Sequence, residues 1–278
     1  MFTRIVVGWD GTPESEAALE WAVARGVGTP LKIVHAIGGS ATSSEYQRAG
    51  GELSNERVRL IDRADLLRAE RPDLNVTTET EHGSPLSVLA EELAPETLVV
   101  VGVPARHAGS RWTVASRLAG RHGGGTVAVV PVGSMPGAGA AVVVGVDGSP
   151  ASRVAIETAA AEARRLGADL EVVHAWSIPA DWDTAYGEYL GDIQALEDMH
   201  RGLLEDAVEL ARGLHSRPTG RLEPGPAAEV LHRMAEGAAL LVVGSHGGGN
   251  IARFLLGSVS HELLVSLPAP LMIVGPRD

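Results

Sequence analysis

Three glycines and two serines near the carboxyl end of the chain, spaced Gly244-x2-Gly247-x9-Gly257-Ser258 with Ser260 just beyond, are its residues best suited to chemistry, and that chemistry is anion binding. Glycines let the backbone approach a ligand closely and take positive φ at little cost, while the first N–H groups of a following helix have no partners inside it. A phosphate chain complements both features. The plainer alternative is a tight strand-to-helix turn of any α/β protein. The second Gly-Ser pair favours a ligand, because two loops can then grip one anion. His246 and His261 flank the loop, within reach of phosphate on this reading.

Other chemistries find little support. The loop contains no G-x-x-x-x-G-K-[ST], and Lys32 is the only lysine of the chain. Gly247 to Ala252 formally satisfies G-x-G-x-x-[GA], but that fingerprint belongs to the first βα turn of its unit and expects an acidic residue about 20 positions on. There is no G-x-S-x-G elbow and no H-E-x-x-H, and the 10 histidines lack ligand spacing. No catalytic residues and no metal ligands are assigned.

The elements that must position the motif are a buried strand, Leu240 to Val243, a glycine-dense turn, and a helix from Asn250 onward. The same grammar runs through the whole chain. Arg4 to Thr12, ending in Trp9-Asp10-Gly11, and Leu31 to Ile37, Asn75 to Glu81, Thr97 to Val103 and Thr126 to Val130 read as strands. Helical spacing between them falls at Glu14 to Arg25, Ser54 to Arg71, Leu86 to Leu93 and Ser110 to Ala119. Strands alternating with helices imply a parallel sheet covered on both faces with right-handed crossovers.

The second half repeats the first: VVVGVDGS echoes IVVGWDGT, LEVVHAW echoes LKIVHAI, LLVVGSHG echoes TLVVVGVP, and LMIVGP echoes VAVVPV. Two copies of one α/β domain, 1–136 and 137–278, are therefore expected. Each is a five-stranded open parallel sheet flanked by helices, joined by the Gly/Ala/Pro-rich stretch Val132 to Ala141. In each copy the first strand leads to a carboxylate, Asp10 or Asp147. Two roles fit it: accepting from a ligand amine or ribose hydroxyl at the carboxyl end of the sheet, or organising the turn. His35 and His174 share one position on the second strand, where a packed histidine is the ordinary outcome.

Composition bounds the partners. A chain of 278 residues suits two domains, 4% aromatic content demands an aliphatic core, and zero cysteines remove disulfides and thiol chemistry. A net charge of -12 argues against nucleic-acid and anionic-membrane surfaces, which need concentrated positive charge, but not against a local backbone-lined nucleotide pocket. No signal-like segment opens the chain and no apolar run reaches the length of a membrane span, so a cytoplasmic location is expected.

The spaced glycine motif, together with VDGS after the first strand, VVHAW at the second, Gly225-Pro226 and PAPLMIV, resembles the universal stress protein family in tandem form across essentially the whole chain. The resemblance implies an adenine-nucleotide α-hydrolase-like fold, ATP as ligand with Mg²⁺ on its phosphates, and a stress-response or regulatory role. It places Asp147 at the adenosine end, Val173 in the adenine slot, and Gly244, His246, Gly247, Gly257, Ser258, Val259 and Ser260 around ribose and phosphates. It further implies an intramolecular pseudo-dimer through the fifth strands, with a homodimer as a further form. Hydrogen bonds to charged groups contribute about 1.5 to 3 kcal/mol each, and micromolar affinity needs about 8 kcal/mol net, so a handful of donors with a stacked base suffices.

In the first copy the motif reads Gly102-x2-Ala105-x9-Ala115-Ser116, with Pro104 and Leu118 where His246 and Ser260 stand. Proline donates no N–H and leucine no hydroxyl. The carboxy-terminal copy is thus expected to carry the intact nucleotide motif and the amino-terminal copy a degenerate one, although Arg106, His107 and Arg111 are available to phosphate. The competing functions are a slow nucleotide-hydrolysing enzyme and a nucleotide-free dimerising scaffold.

Overall fold

The protein is described by a computed structural model covering residues 2–25, 28–38, 45–104, 114–121, 125–134, 141–178, 190–215, 217–246 and 256–275, with side chains described for all of these except 45–54 and 190–192. The chain divides into two compact units, Met1–Pro136 and Gly137–Asp278.

Unit 1 runs β1 (Arg4–Gly8), α1 (Pro13–Val23), β2 (Leu31–Ile37), α2 (Glu45–Glu70), β3 (Val76–His82), α3 (Pro85–Glu91), β4 (Thr97–Val103), α4 (Val114–Ala119) and β5 (Thr126–Pro131). Its strands pair in the order β3-β2-β1-β4-β5, every pair parallel. Unit 2 repeats this with β6 (Val142–Gly145), α5 (Pro150–Leu166), β7 (Leu170–Trp176), α6 (Leu190–Arg212), β8 (Pro218–Pro224), α7 (Ala227–Met234), β9 (Leu240–Gly244), α8 (Ser258–Val265) and β10 (Leu271–Val274). The order β8-β7-β6-β9-β10 is again wholly parallel. Each unit is the open five-stranded α/β sheet that the alternation implies.

Burial follows position in the sheet. The inner strands, such as TLVVVGV in β4 and VVVG in β6, are buried almost throughout because helices cover both faces. The outer strands β3 (VTTETEH) and β8 (PTGRLEP) are polar and mostly open, which keeps an edge from pairing with other chains. The largest fully buried side chains are leucines, an isoleucine and a methionine, so the core is aliphatic.

Three helices begin alike. Thr12, Ser84 and Ser149 cap α1, α3 and α5, accepting from the N–H of Ser15, Ser87 and Ser152 at 3.3, 3.1 and 3.2 Å, and each is followed by a proline at the first helical position. Proline suits that position because its missing N–H would be unpaired there. The last helix differs. α8 begins at Ser258, after the non-helical Leu256 and Gly257, and Gly257, which has no side chain to cap with, occupies the N-cap; the helix start expected at Asn250 lies outside the described residues. α2 is longer than its periodicity suggests, starting at Glu45 instead of Ser54.

Candidate functional site

Each unit's first strand lies between its second and fourth, so neighbouring crossovers leave in opposite directions at that strand's carboxyl end. In open parallel sheets this is where ligands bind. In unit 1 a cavity of about 340 Å³ opens there, lined at the strand ends by Asp10, Val34, Ala36 and Gly102 and walled by the first turn of α1 and by α3. Strand register makes Val34 the counterpart of Val173, since they pair with Gly8 and Gly145 respectively. Asp10 likewise matches Asp147, and Gly102 matches Gly244. Three of the residues singled out in unit 2 therefore have counterparts that line one cavity in unit 1.

The carboxylates organise their turns. Asp10 Oδ1 accepts from the Thr12 N–H at 3.1 Å and the Thr12 hydroxyl at 2.6 Å. Asp147 Oδ1 accepts from the Ser149 N–H at 3.0 Å and from the Ser152 hydroxyl. The following Gly11 and Gly148 sit at φ +77° and +78°, where an L side chain is strained. Burial pushes the Asp10 carboxyl up, but the Thr12 hydroxyl and N–H, the Ser15 hydroxyl and His35 outweigh it, leaving the group below its ordinary value. Asp147 is exposed and one of its oxygens is committed to the turn, so the turn-building role is visible.

The two histidines are packed residues. Nδ1 of His35 lies 2.7 Å from the Trp9 carbonyl, and Nδ1 of His174 lies 2.7 Å from the Val146 carbonyl. A carbonyl only accepts, so both rings carry their proton on Nδ1. Beyond that bond the copies diverge: His35 Nε2 faces Glu56 at 3.6 Å, whereas His174 Nε2 accepts from His200 Nδ1 at 2.8 Å.

Around the glycine motif, Val173 is buried in β7 and Gly244 ends β9. A Cβ on Gly244 would lie 2.8 Å from the Ala151 Cβ of α5, so this glycine serves close strand–helix packing. Its unit 1 counterpart is tighter still, since a Cβ on Gly102 would lie 1.7 Å from the Glu14 carbonyl oxygen of α1. The Ser260 hydroxyl, buried, donates to the Gly244 carbonyl at 2.7 Å, and the Gly257 N–H donates to the Ser245 carbonyl at 2.8 Å. Ser245 and His246 Nδ1 share a bond of 2.9 Å. These contacts bring the start of α8 to the end of β9. Ser258 is exposed and Val259 half-buried at the first turn, which no side chain caps. Gly247 lies outside the described residues, as do Ala105, Arg106, His107 and Arg111 of the first copy. Ala115 and Leu118 are buried in α4.

Sequence reasoning missed the braces of the unit 1 site. Trp9, buried beside His35, donates its indole N–H to Glu16 at 2.7 Å, and Glu16 in turn accepts from Arg63 at 2.9 Å. The only signal was Trp9 itself, which replaces the aliphatic Val146 of the second copy. Among the described residues no group of three His, Asp or Glu stands close enough to hold a metal, and no helix is long and apolar enough to cross a membrane.

The model of the universal stress protein family matches residues 1–120 and 140–275. A universal stress protein of Mycobacterium tuberculosis is 31% identical over 317 aligned residues, covering 99% of this chain and 96% of the relative. One of Mycolicibacterium smegmatis is 32% identical over 291, covering 98% and 97%. Among solved structures, a universal stress protein of Archaeoglobus fulgidus matches with a TM-score of 0.68 at 17% identity, covering 99% of both chains, which is a likeness of fold.

Proposed function

The chain belongs to the universal stress protein family, and from that premise we propose that it binds ATP, mainly through unit 2, and acts as a stress-response or regulatory module. One observation carries the proposal: the N-terminus of α8 is uncapped, fronted by a glycine, and tied to the end of β9 beside the strand that leads to Asp147. Helices α1, α3 and α5 occupy their first-turn donors with Thr12, Ser84 and Ser149. At α8 the N–H groups of Ser258, Val259 and Ser260 have no such cap, and aligned backbone donors at a helix start favour an anion.

The roles follow from position. Val173, the counterpart of a cavity-lining residue in unit 1, would lie against the base, and Asp147 would stand at the adenosine end. Gly244, His246 and Gly247 would bring the backbone close to the ribose and phosphates, and Gly257 to Ser260 would supply donors to the phosphates. Mg²⁺ would be held by the phosphates and water, since no three-ligand protein site stands among the described residues. Self-association and a cytoplasmic location belong to the same proposal, the former read as a doubled mass in light scattering.

The test is direct. Acid treatment of freshly purified protein should release ATP into the supernatant, or the nucleotide-free protein should take up one equivalent. A protein that neither carries nor takes up nucleotide is the scaffold instead.

A further inference from the structure

We propose that the ion pairs joining the second and third strands of the two units are written in opposite sense so that the repeated modules β1-α1-β2 and β6-α5-β7 cannot exchange places as the chain folds. The inference concerns assembly of the fold and does not depend on the nucleotide reading.

A chain with two copies of one topology has two ways to complete each sheet. The strands β2 and β1 fit between β3 and β4, and β7 and β6 between β8 and β9, with matching register: Lys32 stands opposite Thr77, and Glu171 opposite Thr219. The apolar pattern barely distinguishes the copies. LKIVHAI and LEVVHAW share one burial pattern, with Leu31, Ile33 and Val34 buried in the first and Leu170, Val172 and Val173 in the second. Misassembly between such units is a characteristic failure of repeat and multidomain chains, and a repulsive contact in the wrong pairing opposes it.

Charge supplies that contact. In unit 1 the module carries the cations. Lys32 Nζ pairs with Glu79, two residues beyond Thr77 on β3, and at 2.6 Å with Glu92, just after α3; Arg4 of β1 pairs with Glu92 at 3.1 Å. Burial pushes the Lys32 ammonium down, but Glu79 and Glu92 outweigh it and hold the group above its ordinary value, so the charge persists. In unit 2 the signs are reversed. Glu171 takes the place of Lys32 and accepts at 2.9 Å from Arg221, two residues beyond Thr219 on β8. Met234 and Ala141 stand where Glu92 and Arg4 do, at matching distances before Gly244 and Val142.

Each native pairing therefore joins opposite charges, and each exchanged pairing joins like charges. With β6-α5-β7 placed against β3, Glu171 would meet Glu79 and Glu92 with neither Lys32 nor Arg4 at hand. With β1-α1-β2 placed against β8, Lys32 would meet Arg221 with Met234 in place of the acid. Like charges across neighbouring strands destabilise a sheet. Lys32 and Glu171 are half-buried, which weakens screening relative to an open surface pair.

The chain has no cysteine, so disulfides can report the pairing. Ala36 stands opposite Glu81, and Ala175 opposite Glu223. In a full chain carrying Ala36→Cys, Glu81→Cys and Glu223→Cys, the first thiol bonds to the second in the native pairing and to the third in the exchanged one. Refolded by dilution from urea with glutathione disulfide, with the monomer mapped by mass spectrometry, this parent should yield the native bond almost alone. Rewriting unit 1 with the charges of unit 2, by Lys32→Glu, Glu79→Arg and Glu92→Met, keeps an opposite pair in each unit but removes the distinction, and should raise the exchanged bond about threefold or more. Rewriting unit 2 in turn, by Glu171→Lys, Arg221→Glu and Met234→Glu, should return it to the parent level. Refolding the parent in about 1 M salt should raise it with no change of charge. An exchanged bond that stays at the parent level in the rewritten unit 1 chain, that salt does not raise in the parent, or that persists once both units are rewritten would overturn the proposal.

Discussion

The backbone N–H of Gly257 donates to the carbonyl of Ser245 at 2.8 Å, closing the two ends of the glycine-rich segment on each other before α8 begins. With the Ser260 hydroxyl on the Gly244 carbonyl at 2.7 Å, it fixes the uncapped helix start against the strand end. Donors held in place before a ligand arrives lose less entropy on binding. Ser260→Ala removes one of the two ties and leaves a carbonyl without its partner. It should cost about 1 to 3 kcal/mol in urea denaturation, with a parallel loss of ATP affinity. Unchanged stability would show that the bond does not hold the helix.

The two strand-end glycines should differ in tolerance. At Gly244 a new Cβ would meet the Ala151 side chain at 2.8 Å, a contact that a small helix shift relieves, so Gly244→Ala should cost about 1 to 3 kcal/mol. At Gly102 it would meet the Glu14 carbonyl oxygen at 1.7 Å, and backbone gives way less readily. Gly102→Ala should be the more damaging of the pair in chemical denaturation. The reverse order would mean that α1 is less firmly seated than α5.

In unit 1, Glu16 accepts from both Trp9 and Arg63, at 2.7 and 2.9 Å. Glu16→Ala strands a buried indole N–H and should destabilise the protein by about 1 to 3 kcal/mol. In that background Arg63→Ala should cost less than it does alone, because its partner has already gone. Additive losses in the double-mutant cycle would break the network into independent contacts.

Stability should also depend on pH through the histidine pair. Burial first, and then the neighbouring His174, push His200 below the ordinary histidine value. The folded protein thus binds that proton less readily than the unfolded chain. The associated stability is fully present above the unfolded value of about 6.5 and is lost as pH falls from there through the lowered folded value. Denaturation midpoints should drop on going from about pH 7.5 to 5.5, and His200→Gln should flatten that drop. An identical pH profile in the variant would remove His200 as its source.

Most of the fold could be read from the sequence because an all-parallel sheet writes its inner strands as continuous aliphatic runs: β2, β4 and β7 have the bounds that the pattern implies. Edge strand β8, PTGRLEP, carries little such signal, since exposure removes the selection for apolar residues. The start of α8 was illegible for a different reason. Residues from Asn250 on are compatible with helix, and only the bond from Gly257 to Ser245 marks Gly257 as the cap. Within the site, residue type suggested which glycines and serines gather, but not what each does. That Ser260 braces Gly244, and that Gly102 and Gly244 let a helix approach closely, depends on three-dimensional packing.

The central claim, that ATP is held by the start of α8, is tested most directly by titrating the full chain and its Ser258→Pro variant with ATP and Mg²⁺. Ser258 is the first helical residue, and Gly257 before it is extended at φ -60° and ψ 151°, so proline fits the backbone while deleting one N–H and one hydroxyl. The account predicts an unchanged melting temperature and an ATP affinity weaker by about tenfold or more. Equal affinity in the variant, with the fold intact, would contradict it.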